Sequence, residues 1–233
     1  MSVDVDVRDG ASSFVEKWRA RWPEWEFGMV FVPVAQRPLA EAWLSLLNEL
    51  AEAAWGGGDP TPGLAKLAWW QEELGGWSKG ARRHPLGALL QPRPAPWLQL
   101  GRALPDLRAL RGDGVDDLVG PVTDAASIAG TQVPGEEAGR DFAAAVAACE
   151  AALFDGRTGD DSVAAVLQSV RDERVLMRGA AIEPATTARP GRPGCRLRGV
   201  QMALAAARLA RPGVPVSPLR ALLGAWRGAR RAG

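Results

Sequence analysis

The chain contains 233 residues, of which 47% are hydrophobic and 24% charged, with a formal net charge of +1. A charge this small produces no electrostatic field that gathers nucleic acid, so a general nucleic-acid-binding protein is excluded. Cys149 and Cys195 lie far apart without CxxC spacing, which argues against a disulfide framework or a cysteine zinc site and favours reduced thiols.

The sequence contains no candidate targeting or membrane-spanning segment. Residues 1–10 lack the apolar stretch of a secretory signal. No apolar run approaches the roughly 18–20 residues that a helix needs to span a bilayer. We therefore expect a cytoplasmic protein without a transmembrane segment. A peripheral position at a membrane surface is the alternative.

Apolar residues recur at three- and four-residue steps along most of the chain, which predicts an all-α fold. In residues 37–54, for example, Leu39, Trp43, Leu46 and Leu50 form one stripe. Glycine and proline clusters separate the periodic segments. The predicted helices span residues 37–54, 62–77, 97–110 with a break at Pro105, 136–153, 160–177, 196–209 and 217–231.

Three segments lack a helical pattern. Residues 29–34 form the only strand-like run, which is equally compatible with the start of a helix. Residues 111–135 combine aspartates with glycine and proline and are predicted to form a loop. Residues 183–194 are rich in Pro, Gly, Thr and Arg, and we expect them to form a flexible linker before the last two helices of a single domain, residues 1–233.

The most specific motif lies in the second predicted helix. Residues 67–74 read Leu-x-Trp-Trp-x-x-Glu-Leu, and the pair His84-Pro85 follows after a loop. Trp70 belongs to the apolar stripe, whereas Trp69 lies about 100° away around the helix. We expect both tryptophans to pack at a helix–helix crossing, with an aromatic wall of a ligand cavity as the alternative. His84 has no triad partners, so a helix lead-in is expected of it.

This motif resembles a characteristic pattern of the squalene/phytoene synthases, enzymes that join two prenyl diphosphates head to head. Two further segments are similar to that family: Phe31, Pro33 and Arg37 ahead of a long helix, and residues 222–227 in the last helix. The resemblance covers the first hundred residues well and the remainder loosely. It implies an isoprenoid-synthase-like helical bundle, with prenyl diphosphate as substrate and Mg²⁺ as cofactor.

The aspartate-rich motifs of that family are largely missing here. In the enzymes, two such motifs hold the magnesium ions that neutralise the departing diphosphate. The first motif falls at residues 48–55, which contain no aspartate, and the second at residues 168–174, which lack a second aspartate one turn after Asp172. The resemblance leaves as candidate metal ligands Glu49, Glu52 and Asp172. It leaves as candidate substrate-binding residues Arg37, Trp69 and Arg171.

Two functions from different classes follow from the resemblance. The first is a non-catalytic family member that keeps the bundle and binds an isoprenoid lipid or a protein partner. A mitochondrial respiratory complex I assembly factor that belongs to this family without the full aspartate set provides the precedent. The second is a divergent prenyltransferase that condenses prenyl diphosphates with Mg²⁺. A third interpretation is a helical domain that retains the ancestry and binds no ligand.

Two features help to separate these hypotheses. Convergence of Trp43, Trp55 and Trp69 on one open cavity favours a ligand, whereas dispersed tryptophans favour none. The arginines of residues 220–231 suit the end of a helix because cations are stabilised by its dipole. The alternative for these arginines is a basic patch that contacts anionic lipid or a prenyl diphosphate.

Overall fold

The computed structural model describes residues 3–110, 134–178 and 191–232. Within these ranges every regular element is helical, so the predicted all-α class is confirmed. The helices are α1 (Val3–Arg21), α2 (Trp25–Gly28), α3 (Arg37–Trp55), α4 (Thr61–Trp77), α5 (Gly87–Leu90), α6 (Trp97–Arg102), α7 (Leu104–Ala109), α8 (Pro134–Leu153), α9 (Asp160–Arg178), α10 (Arg196–Leu209) and α11 (Pro218–Arg231). No helix in the described ranges is both long and apolar enough to cross a bilayer.

The predicted helix boundaries hold to within two residues along most of the chain. The predicted break near Pro105 falls at Ala103, and the proline lies in the first turn of α7, where its missing N–H has no helical partner to lose. Residues 29–36 form two 3₁₀ turns and no strand. Of the loop predicted at 111–135, residues 134–135 belong instead to α8, and the rest lies outside the described residues. Of the linker predicted at 183–194, residues 191–194 are described and are not helical, whereas 183–190 lie outside the described residues.

Tryptophans are the largest buried side chains of the core. Trp70 lies edge-to-face on Trp77 at 6.3 Å between ring centroids, Trp77 on Trp97 at 5.2 Å, and Trp97 lies 6.3 Å from Trp43. Edge-to-face pairs contribute about 0.5–1.5 kcal/mol beyond their buried area. This aromatic row joins α3, α4 and α6, and it fixes α3 at the centre of the bundle.

A buried ion pair joins α8 and α10, and Trp43 connects it to α3. Arg198 of α10 donates through Nε to Glu150 of α8 at 3.1 Å and pairs with it through Nη2 as well. Trp43 of α3 donates to the same carboxylate at 3.0 Å, and the Cys195 thiol lies 3.8 Å from it. Burial alone lowers the pKa of Arg198, but Glu150 outweighs burial and raises it.

Helices α10 and α11 pack at unusually close range through small residues. A Cβ on Gly228 would overlap the backbone carbonyl of Gly199, and a Cβ on Gly199 would overlap that of Gly228. Ala221, Ala225 and Ala229 complete the buried face of α11. The close approach therefore depends on the absence of a side chain at both glycines.

We predict that Gly228→Ala destabilises the protein because it forces α10 and α11 apart. The expected cost is about 1–3 kcal/mol of unfolding free energy, the range of overpacking substitutions. Gly224→Ala is the matched control, since a Cβ there meets only ordinary contact at 3.8 Å and removes a helical glycine. Thermal unfolding should show a lower Tm for Gly228→Ala and an equal or higher Tm for Gly224→Ala. Equal melting of both variants would contradict the assignment.

Candidate functional site

A cavity lies between α3 and α9, and residues of α1, α7, α8 and α10 also line it. Its volume is about 50 Å³, room for about three to five water molecules at ~10–15 Å³ each. The apolar part of its lining includes Trp18, Trp22, Leu47, Trp55, Phe142 and Val146. The polar part consists of Asn48, Ser169, Glu173, Arg198 and Gln201.

The two segments that the resemblance assigns to the metal motifs face each other across this cavity. Residues 48–55 contribute Asn48 and Trp55 from α3, and residues 168–174 contribute Ser169 and Glu173 from α9, among others. Side chains that are more than a hundred positions apart in the sequence thus line one space. Whatever this cavity binds would contact both segments at once.

Helix α1 places cations between the two segments. Arg21 pairs with Glu173 of α9 at 2.6 Å and donates to the side-chain oxygen of Asn48 of α3 at 3.1 Å. Lys17, one turn earlier on the same face of α1, pairs with Glu49 at 2.8 Å and also with Glu52. Arg21 therefore connects α3 with α9, whereas Lys17 binds two carboxylates of α3.

The chain of polar contacts continues in both directions. Asn48 donates to Glu52 at 3.4 Å, and Lys66 of α4 pairs with Glu49 at 2.6 Å. Three carboxylates are thereby matched by three cations. The resulting cluster is nearly neutral in sum, which leaves little net field to attract either a metal ion or a diphosphate.

The pKa values of the cluster follow from these pairs. Burial alone raises the pKa of Glu49, but Lys17 and Lys66 outweigh burial and lower it. Burial alone lowers the pKa of Lys17, yet Glu49 and Glu52 raise it. Both partners are thus held in their charged forms. Burial raises the pKa of Glu173, with Arg21 acting in the opposite direction.

Helix α10 positions α1 through a set of contacts. Arg208 donates to the backbone carbonyl of Arg21 at 2.6 Å, pairs with Glu24 at 2.6 Å, and lies over the ring of Trp22 at 4.0 Å. Trp25, which follows shortly after the end of α1, donates a hydrogen bond to Gln201 at 2.8 Å. A cation at the last carbonyls of a helix suits its dipole. The register of Lys17 and Arg21 against α3 is fixed in this way.

The candidate metal ligands are not brought together as one set. Glu49 and Glu52 share Lys17, whereas Asp172 accepts a hydrogen bond from Gln168 at 2.8 Å on α9 and does not line the cavity. Burial raises the pKa of Asp172. In the described part of the chain, no group of three or more His, Cys, Asp and Glu side chains is placed to hold a metal ion.

The candidate substrate-binding residues lie away from the cavity. Arg37, the first residue of α3, donates to the backbone carbonyl of Val32 at 3.2 Å and fixes the turn ahead of the helix. Trp69 packs edge-on against Trp70 at 5.1 Å. Arg171 is a partly buried residue of α9. None of these three residues is among those that line the cavity.

The Leu-x-Trp-Trp-x-x-Glu-Leu motif and His84 form a structural cluster. Glu73 accepts hydrogen bonds from Trp77 at 2.8 Å and from the backbone N–H groups of Arg83 and His84 at 2.7 and 2.8 Å. Burial alone raises the pKa of Glu73, but these donors outweigh it and lower the pKa. The carboxylate thereby fixes the loop that carries the histidine.

His84 itself packs among aromatic rings and opens the next turn. Its ring lies 4.4 Å from Phe14 and 4.5 Å from Trp70, and its Nδ1 accepts the backbone N–H of Leu86 at 3.2 Å. Burial lowers its pKa from 6.5 to about 4. A neutral imidazole in a packing position agrees with the predicted helix lead-in.

Of Trp43, Trp55 and Trp69, only Trp55 lines the cavity, so the convergence that would favour a ligand is not observed. The indole N–H of Trp55 is buried and has no hydrogen-bond partner among the described residues. Trp43 and Trp69 lie elsewhere, whereas Trp18 of α1 and Trp22, the residue after α1, do line the cavity. The sequence carried a signal for α1 that was missed: Lys17 and Arg21, like Trp18 and Trp22, are spaced by four residues and share a face.

No family model, no curated protein and no solved structure matches the chain. The likeness to the squalene/phytoene synthases therefore rests on the motifs quoted above.

We predict that removing the lysines costs more stability than removing the glutamate they share. Lys17→Met with Lys66→Met leaves Glu49, whose side chain is 4% exposed, without a cation, and the expected loss is about 2–3 kcal/mol. Glu49→Gln leaves two lysines that are exposed enough to regain water, and we expect a loss of about 1 kcal/mol. Urea unfolding at neutral pH measures both. A larger loss for Glu49→Gln would contradict the proposed pairing.

A second prediction concerns pH. The folded protein keeps His84 neutral down to about pH 4, whereas the unfolded chain takes up the proton near pH 6.5. The unfolded state therefore binds more protons in this window, and stability decreases as pH falls from 6.5 towards 4. The His84→Asn variant keeps a hydrogen-bond acceptor for the backbone N–H of the residue two positions later. The asparagine side chain does not titrate.

Thermal unfolding at pH 7, 6 and 5 checks this prediction. Between pH 7 and 5 the Tm of the wild type should fall by about 2–4 °C more than that of His84→Asn, the shift expected of roughly 1 kcal/mol in a chain of this size. Parallel pH profiles would show that folding does not lower the pKa of His84, and they would contradict the prediction.

Proposed function

We propose that this chain is a non-catalytic protein of the squalene/phytoene synthase type with an isoprenoid-synthase-like bundle. In this proposal it binds an uncharged isoprenoid lipid between α3 and α9, without magnesium. The observation that carries the proposal is the position of Lys17 and Arg21. These two cations of α1 contact the polar residues of α3 and α9 between the segments where the resemblance expects metal ions.

The charge balance of the cluster supports a non-catalytic role. Release of diphosphate requires cations that are free to bind its oxygens as negative charge develops. Here Lys17, Lys66 and Arg21 already pair with Glu49, Glu52 and Glu173. A metal ion would have to displace a lysine from buried Glu49, and a diphosphate would have to compete with three carboxylates for the cations.

The lining of the cavity supports the class of ligand. Tryptophan, leucine, valine and phenylalanine side chains dominate it, which suits a hydrocarbon chain. The unpartnered N–H of Trp55 offers one donor to an oxygen, such as the hydroxyl of a prenyl alcohol. Because the cavity holds about 50 Å³, a prenyl chain enters only when lining side chains change rotamer.

Titration calorimetry tests the proposal with two matched ligands, farnesol and farnesyl diphosphate, each with and without Mg²⁺. We expect farnesol to bind at least as tightly as the diphosphate and Mg²⁺ to leave both affinities unchanged. Binding of the diphosphate that Mg²⁺ strengthens, or product formation above a heat-killed control, would favour the divergent prenyltransferase. If neither ligand binds, the proposal is also overturned, and the search turns to protein partners.

Site-directed variants locate the binding. Ala51→Leu adds volume to the lining of the cavity, and we expect it to weaken farnesol binding at least tenfold, about 1.4 kcal/mol. Trp69→Phe is the control, because Trp69 is aromatic but lies outside the cavity. Equal weakening in both variants would mean that the ligand binds elsewhere. A melting curve of each variant verifies that it is folded.

A further inference from the structure

The last helix exposes its large apolar side chains and buries its small ones. The buried face of α11 consists of alanine and glycine, packed on α10. Its large apolar residues are 39–66% exposed to solvent, and they are Leu219, Leu222, Leu223 and Trp226. An amphipathic helix of a globular protein normally turns such a stripe to the core. The outward stripe of α11 therefore has no partner among the described residues.

The apolar surface extends beyond α11. Val214, in the loop ahead of the helix, is 55% exposed and lies beside Arg220 in one surface depression. Val30, also exposed, belongs to the turn Met29–Phe31, which packs against α11. Exposed leucine, valine and tryptophan residues thus come from α11, from the loop ahead of it and from the turn Met29–Phe31.

Positive charge accompanies this apolar surface. Residues 184–233 contain ten arginines and no aspartate or glutamate, so residues 1–183 carry a net charge of −9. On α11, Arg220, Arg227, Arg230 and Arg231 are all exposed, and none of them has an ion-pair partner within the described ranges. Arg230 lies 5.1 Å from the ring centroid of Trp226. The overall net charge of +1 hides this separation of charge along the chain.

We propose that α11 binds the surface of an anionic lipid bilayer, lying in the plane of the interface. A helix with Leu and Trp on one face and Arg beside it is the arrangement that inserts its apolar side among acyl chains while its cations contact anionic headgroups. Tryptophan favours the interface because its ring is apolar and its N–H is polar. No described helix spans a bilayer, so the contact is peripheral. This proposal is independent of the ligand proposed for the cavity.

The exposed arginines of α11 favour an anionic lipid surface over the other possible occupants of its apolar face. In a dimer of this chain, a twofold axis would place the arginines of one copy against those of the other, and their repulsion is unfavourable. Nucleic acid is also anionic, but it gives exposed Leu219, Leu222 and Leu223 no apolar environment to enter. An anionic membrane satisfies the charge and the apolar stripe together.

Flotation of the full chain with vesicles tests this inference. Vesicles of phosphatidylcholine alone are compared with vesicles that also contain phosphatidylglycerol. We expect binding at least tenfold stronger to the anionic vesicles and a decrease as salt is raised. Leu223→Ser with Trp226→Ser should reduce binding at least tenfold. Leu89→Ser with Leu98→Ser, at residues 41% and 40% exposed on α5 and α6, is the matched control and should bind like the wild type.

The charges are tested in the same assay. Arg227→Gln with Arg231→Gln should weaken binding to anionic vesicles at least tenfold and leave the weak binding to neutral vesicles unchanged. Arg102→Gln with Arg108→Gln removes two exposed arginines from α6 and α7 and should have no effect. Equal losses in both pairs would mean that binding follows total charge and would overturn the assignment to α11.

Fluorescence places the contact on one side chain. All ten tryptophans lie in the described ranges, and only Trp226 is exposed. Vesicles with brominated acyl chains should quench part of the emission of the wild type, and Trp226→Phe should still bind while losing that quenching. Failure to bind anionic vesicles, or quenching that persists in Trp226→Phe, would overturn the proposal. So would a dimer in solution that the Leu223→Ser, Trp226→Ser variant dissociates.

Discussion

The structure depends most on one buried ion pair, Arg198 with Glu150. Transfer of two charges out of water is costly, and the pair is stable only because further donors satisfy the carboxylate. Trp43 of α3 supplies such a donor, so α3, α8 and α10 are joined at one point. Loss of either charge would leave the other buried without a partner. Helix α10 is in turn the element that fixes α1, through Arg208, and α11, through Gly199.

Much of the fold could be predicted from the sequence because its signals are local. The stripe of α3, the proline in the first turn of α7 and the glycines after Trp55 each specify a nearby boundary. The cavity could not be predicted in the same way. Its polar contacts join α1 to residues of α9 that are about 150 positions away, and no periodicity within one helix encodes such a pairing.

The motif that carries the strongest resemblance turns out to stabilise the fold. Glu73 binds the loop before His84, and His84 packs on the tryptophans of the same helix. These residues specify how α4 meets the following turn, and they do not line the cavity between α3 and α9. A resemblance based on these residues supports a shared architecture more than a shared chemical activity. Chemistry depends on the residues between α3 and α9, where lysine and arginine side chains of the protein are paired with the acids that remain.

The environment of the two cysteines has a practical consequence. Cys149 and Cys195 are both fully enclosed, and burial raises the pKa of each thiol far above its ordinary value. Only thiolate reacts quickly with alkylating reagents, so modification of the native protein has to wait for the bundle to open. The rate of thiol labelling therefore measures how often the core around Glu150 opens. A cysteine introduced on the surface would react well before these two, which allows a single probe to be attached without removing either native thiol.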